Sequence, residues 1–514
     1  MRRLAWCAAA LSALASCADP SSSPDPTATS RAITAREVNT SRAANGAVTE
    51  RPVDLDASVV QAYVLGDDGT WTTYAGEGTS NGQLLVDGVP AGPAWLRVDY
   101  LDTSAEPRPH NEYFWIDGDA DVALELGTWR VGRTDYKYAQ TIPTDVDLQL
   151  SGLAPWQPGL DLAVIYSPNV DFVQVWSADG EGTSGVPTAN ATSSVLRSDW
   201  AGAVGGPLID ASRGDRAWMM QFRFREMNGV MVGAPVRAAE LPAFTLADAE
   251  TTAVPAALGT PAPLTVRLAM DRGAFDAVRA DIGKTVSPAL GRGFSISSSP
   301  STVTTEFSPT SIPAELVVLD QEAINGLGKL DLGNLEVASP FAADTLFGHF
   351  ASAYLVKVER DDGYVAQAFA EIGVITSTLP TEAAPAAPII GPVRNVTIAG
   401  RPAFDAPQGV GAAPEIAWEA PAFGTPVEYE VKILAPGGVD PTYDFGWYPS
   451  AIFHVPGDRT SFVLPPETLV TDYPYAIAIR AITHAVPDEQ RAVAPRQLAL
   501  PYGWADTITP AFKP

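Results

Sequence analysis

The chain has 514 residues, 60 of them acidic and 33 basic, for a net charge of −27. That balance disfavours nucleic acid and anionic membrane surfaces as partners; it suits an extracellular surface and leaves room for Ca²⁺. The only cysteines are Cys7 and Cys17, so stability must come from apolar burial and not from a disulfide framework.

Arg2 and Arg3 form a short positive start, and Leu4 to Ala15 is an apolar run. It is shorter than the roughly 20 residues that span a bilayer. Leu14-Ala15-Ser16-Cys17 then supplies the small residues that a signal peptidase requires. The quartet resembles the lipobox of bacterial lipoproteins. That resemblance implies a signal peptide over residues 1–16, cleavage before Cys17, and lipidation of its thiol and new amino group. An ordinary cut near Ala18 or Asp19 is the alternative. The lipid on Cys17 is then the link to the membrane, firm because several acyl chains are added. Ala18 resembles the outer-membrane class of lipoprotein, so the expected location is extracytoplasmic, at the outer membrane or cell surface. Residues 17–50 are rich in Ser, Thr, Pro and Ala, and are expected to form a flexible tether.

From Arg51 the pattern becomes short and alternating. Val59 to Leu65 reads as a strand, Gly66-Asp67-Asp68-Gly69 as a turn, and Trp71 to Tyr74 as the returning strand. Gly82 to Val98 follows the pattern G-x-L-x-V-x-G-V-P-x-G-x-x-W-L-x-V. It resembles the prealbumin-like, carboxypeptidase-regulatory or Cna-B type β-sandwich, which implies such a domain over residues 51–132 with Trp95 in its core. The region contains no Lys, so the isopeptide bond often found in Cna-B domains is not expected.

Residues 133–376 are dense in strand-like runs: Val146–Leu150, Leu160–Tyr166, Phe172–Trp176, Trp218–Phe224, Leu264–Met270, Ala314–Leu319 and Tyr354–Glu359. They read as one or two β-rich domains, with a possible division at 251–263. One helix is expected, capped by Asp271, with Phe275, Val278 and Ile282 on one face and Gly283 at its end. A Pro/Ala linker follows at 377–392.

The last segment, 393–514, begins with a strand over Asn395–Ile398. Pro414-Glu-Ile-Ala-Trp418-Glu-Ala-Pro421, Val427 to Ile433, Thr460 to Pro465 and Tyr473 to Ala481 follow in order. The order resembles a fibronectin type III domain, which implies a buried Trp418 and a tyrosine corner at Tyr475, with Ile477 and Ile479 facing inward. No Arg-Gly-Asp occurs in this segment; the one in the chain stands outside it, at Arg213-Gly214-Asp215.

Motifs of chemistry are sparse. His110, His349, His454 and His484 fall in regions assigned to different domains, without zinc-site spacing. Gly78 to Gly82 fits G-x-S-x-G, but a strand and not a helix is expected after it, unlike a nucleophile elbow. Gly180 to Gly185 fits G-x-G-x-x-G, but no helix pattern follows to hold an anion. Alternating carboxylates at Asp117, Asp119 and Asp121 suit a hard cation such as Ca²⁺, with a solvated turn as the plainer reading. Trp447, Tyr448 and Tyr443 are expected as an exposed aromatic cluster able to bind a ligand, for example by stacking on a glycan.

The expectation is a mostly β, multi-domain chain of antiparallel β-sandwiches with few helices, no cofactor beyond possible calcium, and no catalytic residues. The expected role is that of a cell-surface lipoprotein that binds or scaffolds a glycan or protein ligand outside the cell. The alternative is an extracellular carbohydrate-active hydrolase with accessory sandwiches, which would need a cleft with two carboxylates about 5–10 Å apart.

Overall fold

A computed structural model describes residues 30–514 apart from 43–47, 100–110, 119–121, 127–128, 132, 134–135, 142–143, 171, 177–182, 201–205, 262, 289–290, 299–305, 308–313, 320–327, 342–345, 361–362, 364, 437–445 and 486–497. Alternating apolar residues place almost every described element in a strand, and the chain is a mostly β, multi-domain protein, with two short α-helices among the described residues. One sheet of sixteen strands runs through the whole molecule, and each of four sandwiches contributes four strands to it.

The second sandwich in chain order supplies one end of the sheet: Phe172–Trp176, Asp161–Ser167, Trp218–Met227 and Val230–Glu240. The third follows with Ala314–Leu319, Gly291–Ser298, Leu346–Glu359 and Val365–Thr376. The C-terminal sandwich comes next with Tyr502–Ile508, Ala476–His484, Glu428–Pro436 and Trp447–Pro456. The first sandwich closes the series with Asn111–Ile116, Ala94–Asp99, Val59–Leu65 and Trp71–Ala75. The spatial order is thus second, third, C-terminal, first. The Pro/Ala segment at 377–392 does not string out a separate bead, because the C-terminal sandwich lies hydrogen-bonded between its neighbours.

Each sandwich also owns an opposing sheet. In the first it includes Ser30–Arg42, paired with Gln83–Pro90 and, in parallel, with Val122–Leu126. This corrects the expected tether over residues 17–50: Ser30 to Arg42 and Val48 to Pro52 are strands. Ile33, Ala35 and Val38 are buried, and this sparse set of apolar residues is enough because Gln83–Pro90, Val122–Leu126 and Val48–Pro52 together supply backbone partners along the strand. Residues 17–29 lie outside the described set. In the second sandwich Asp145–Ser151, Ser193–Asp199 and Thr251–Ala257 cover a core of Trp156, Trp176 and Trp200. The third is covered by the pair Pro263–Asp271 and Lys329–Ala338. The C-terminal sandwich sets Arg394–Ile398, Glu415–Glu419 and Ser461–Val463 against its four strands.

The expected helix is present but divided, as Arg272–Ala277 and Arg279–Ile282. Asp271 caps it by accepting a hydrogen bond from the Ala274 N–H at 3.1 Å. Phe275 and Ile282 are fully buried and Gly283 follows the last turn.

Two features show that the long sheet winds back on itself. Val131 pairs with Arg42 in the first sandwich, while the Arg133 N–H donates to the Asn169 carbonyl in the second at 2.6 Å. Two residues reach at most about 7 Å, yet eight strands spaced about 4.8 Å apart separate these sandwiches along the sheet. Accumulated strand twist closes that gap. In agreement, one apolar cluster joins residues from all four sandwiches, among them Trp95, Trp218, Tyr354 and Trp418.

Candidate functional site: the charged row and the seams of the continuous sheet

The C-terminal sandwich meets its neighbours along two seams. On one side Ile372 to Ile375 pair antiparallel with Tyr502 to Ala505. On the other, Ile452 to His454 pair in parallel with Glu112 to Phe114 of the first sandwich. Because side chains alternate, both faces of these strands must be covered.

One face of the parallel seam is aromatic. Trp95 is buried, and its ring lies edge-on to Phe453 at 5.2 Å and to Phe462 at 5.1 Å. Tyr113 stacks on Phe453 at 4.3 Å. The structure therefore corrects one expectation. Trp95 points away from the core of its own sandwich, to which Ala94, Leu96 and Val98 contribute, and enters the core shared with the C-terminal sandwich. Arg97 borders this face, holding both Asp99 oxygens at 2.7 and 2.6 Å and donating to the Tyr63 hydroxyl at 2.9 Å. Burial pushes the Tyr113 hydroxyl up to about 12.

The opposite face carries a row of ionisable groups directly opposite one another on successive strands: His454, Glu430, Arg480 and Asp506. Arg480 holds Asp506 at 2.7 and 2.9 Å. Asp506 in turn accepts the Glu371 N–H at 2.8 Å, across the antiparallel seam. Lys432 pairs with Glu430 at 2.7 Å and the Trp504 Nε1–H donates to Glu371 at 2.9 Å. Burial alone would raise Glu430, but Lys432, Arg480 and His454 hold it at about 2. Burial pushes Glu371 up, with only partial relief from Arg480. His349 lies on the same face, 5.6 Å from the Trp504 ring, and burial lowers it to about 4.

Three of the four histidines are thus brought onto one face of one sheet, although the sequence places His349 in a different domain from His454 and His484. The signal was the period of two: His454 and Ile452, His484 and Ile482, and His349 and Phe347 share faces within their strands. Strand adjacency supplied the rest, and no sequence pattern encodes it. Glu430 and Lys432, and Arg480 and Asp506, serve one another as donors and acceptors. The arrangement ties strand to strand and bridges both seams.

The sites expected from sequence are dispersed. Cys17, Asp119, Asp121, Tyr443 and His110 lie outside the described residues. Asp117 sits in the turn after Asn111–Ile116 and accepts from Arg459, whose guanidinium lies 4.5 Å above the Trp115 ring. Asp117 is therefore already matched to a protein cation at the edge of the parallel seam. The aromatic trio is corrected in part: Trp447 is only 8% exposed, whereas Tyr448 is 52% exposed. Alternation along Trp447–Pro456 turns the indole inward and leaves Tyr448 outside. The G-x-S-x-G at Gly78–Gly82 is a turn into the strand Gln83–Pro90, which is not the setting of a nucleophile elbow. An open cleft of about 470 Å³ in the first sandwich is lined by Thr34, Arg36, Glu77, Thr79 and Gln83, with Arg36 bonded to Glu50 at 2.5 Å.

No protein-family model and no curated protein matches the chain. Solved structures do give matches. The Bacillus anthracis TIE protein is 8% identical over 66% of this chain and 48% of that one, with a TM-score of 0.14; this chain thus spans about half of its length. A streptococcal ancillary pilin is 12% identical over 66% of this chain and 95% of that one, with a TM-score of 0.14. The major pilin subunit of Bacillus cereus is 8% identical over 69% of this chain and 97% of that one, with a TM-score of 0.16. Scores this low transfer no residue's role to this chain.

Proposed function

We propose that this chain is a cell-surface lipoprotein with a non-catalytic role, a scaffold that presents a ligand-binding surface away from the membrane. The observation that carries this reading is the continuous sheet. Four sandwiches hydrogen-bonded into one body make a stiff platform, and at its centre Glu430 is paired with Lys432 and Asp506 with Arg480. The N-terminal segment supports lipid attachment at Cys17.

The C-terminal sandwich reads as a fibronectin type III module. Arg394–Ile398, Glu415–Glu419 and Ser461–Val463, with the two-residue strand Arg401–Pro402 at their edge, face four strands in the expected order, Trp418 is buried between the sheets, and the Tyr475 hydroxyl accepts the Val470 N–H at 3.0 Å, as a tyrosine corner requires. The first sandwich reads as prealbumin-like. Its partners would be glycans or proteins outside the cell, met through exposed groups such as Tyr448.

The test is metabolic labelling with an alkyne fatty acid in a bacterial host, combined with protease shaving of intact cells. The wild-type chain should take up label and be shaved from the surface. Cys17→Ala should take up none. Label retained by Cys17→Ala, or a wild-type chain found in the cytoplasm, would refute the reading.

A further inference from the structure

We propose that the edge strand Trp71–Ala75 is a strand-docking site for an extended basic peptide, a run of uncharged β-forming residues flanked by Lys or Arg, carried by a protein partner outside the cell. The proposal names the partner's chemistry and rests on the scaffold reading for the compartment alone. The strand ends the sixteen-stranded sheet and pairs with Val59–Leu65 on one side only. The Gly66 N–H donates to the Thr70 carbonyl and the Gly76 N–H to the Val60 carbonyl, both at 2.9 Å. Backbone groups in an antiparallel ladder alternate, so Thr72 and Tyr74 turn theirs towards Val59–Leu65. The N–H and C=O groups of Trp71, Thr73 and Ala75 point outward and meet no hydrogen-bond partner among the described residues.

Side chains hold the strand in place from both faces. Trp71 lies edge-on to Tyr63, with ring centroids 6.4 Å apart, and Tyr74 packs on the core of the first sandwich. Thr72, Thr73 and Ala75 are exposed. The edge is thus ordered before a partner arrives, which lowers the entropic cost of docking.

Free edges are guarded in most proteins by charge, proline or shortness. Among the described strands, the rims of the smaller sheets follow that rule. Arg401–Pro402 and Thr183–Ser184 have two residues each, and Ser461–Val463 has three. Val48–Pro52 carries Glu50, Arg51 and Pro52, and Thr251–Ala257 carries Pro255. Trp71–Ala75 has five residues with no charge, proline or glycine, and its Trp, Thr and Tyr are strong strand formers. At the other end of the long sheet Phe172–Trp176 is likewise uncharged, but the chain entering it is engaged: the Asn169 carbonyl accepts the Arg133 N–H, and the Asn169 amide donates to the Gly214 carbonyl at 3.3 Å.

Charge selects the occupant. Asp67 and Asp68 sit in the turn before the strand and Glu77 directly follows Gly76 after it, all three exposed. Val53 to Leu96 contains six acidic residues and no Lys or Arg. A second copy, paired antiparallel with Thr73 opposite Thr73, would bring Asp68 of one chain near Glu77 of the other, and like charges there oppose self-pairing. Lys or Arg flanks on a peptide meet the same carboxylates favourably.

The experiment is fluorescence anisotropy of a labelled peptide, Lys-Lys-Val-Thr-Val-Thr-Val-Lys-Lys, with the full mature chain, joined to residue-resolved hydrogen exchange of the complex. Binding should saturate, and it should weaken several-fold between about 0.05 and about 0.5 M salt. Exchange should slow at the Trp71, Thr73 and Ala75 amides and stay unchanged at Thr72 and Tyr74, whose amides already pair. Thr73→Pro removes an outward N–H and leaves the inner ladder whole, so it should weaken binding about tenfold or more. The same peptide with Glu in place of Lys should not bind. Equal binding to Thr73→Pro, equal binding of the Glu-flanked peptide, or protection confined to other strands would overturn the proposal. So would a chain that dimerises through this strand, seen as a sedimentation mass that falls in Thr73→Pro. Should Thr73→Pro fail to fold, Thr73→Lys sets a like charge against the peptide and decides in its place. Lipid labelling and protease shaving play no part in these arms, so the docking site and the lipoprotein reading can fail separately.

Discussion

The two seams of the C-terminal sandwich are built from different physics. The antiparallel seam, between Val365–Thr376 and Tyr502–Ile508, has four register pairs and adds side-chain bonds from Trp504, Asp506 and Thr507. Thr507 donates at 3.1 Å to the Asp281 carbonyl, so the short helix is tied into the same seam. The parallel seam has three register pairs and rests on aromatic stacking with a few charges. Hydrogen bonds contribute about 1 kcal/mol net each, whereas a buried Trp contributes several. The parallel seam should therefore depend on single large side chains, and the antiparallel seam on a distributed network.

The largest expected effect is at the parallel seam. Trp95→Ala should cost about 3–5 kcal/mol and release the first sandwich. Calorimetry should then resolve a separate low-temperature transition while the second sandwich melts as before. A single unchanged transition would erase the contrast. At the antiparallel seam, Asp506→Asn takes the charge from the pair with Arg480 and weakens the acceptor for the Glu371 N–H. Arg480 is about a third exposed, so the loss should be about 2–3 kcal/mol, below the usual cost of breaking a fully buried pair. Urea unfolding should show a lower midpoint with an unchanged slope.

His349 sharpens the comparison further. His349 is lowered to about 4 by burial, so its neutral form stabilises the fold above about pH 6.5, and that stability is lost as pH falls from 6.5 towards 4. Acid should therefore loosen the third sandwich beside the antiparallel seam, which exchange of the 346–359 amides between pH 7 and 4 checks. The smallest effect is expected from Tyr475→Phe, which removes only the bond to Val470 N–H and should cost about 1 kcal/mol. It acts inside the C-terminal sandwich and should shift both seams together. A shift confined to one would show that the corner does not brace the whole module.

Much of the strand content was legible along the chain. Phe172–Trp176 and Ala314–Leu319 fall where their alternation places them, and the Asp271 cap marks the start of the helix. Local signals suffice there because each depends on neighbours a few residues apart. Trp447 was misjudged because the aromatic cluster was read by composition, although the period of two already turned adjacent residues to opposite sides. Ser30 to Arg42 was missed because its composition is that of a linker. It is a strand because a partner ladder more than 40 residues away completes it.

By itself the sequence determined the class of fold, the positions of most strands and the helix cap, since side-chain period and turn chemistry act over short range. Only the tertiary structure decided that the sandwiches share one sheet in the order second, third, C-terminal, first. That order depends on edge strands finding distant partners, as Val374 finds Gly503, 129 residues away, and Glu112 finds Ile452, 340 residues away. Edge pairing is made by backbone groups that every residue carries. The sequence therefore marks which strands can end a sheet, and only the packed molecule shows which ends meet.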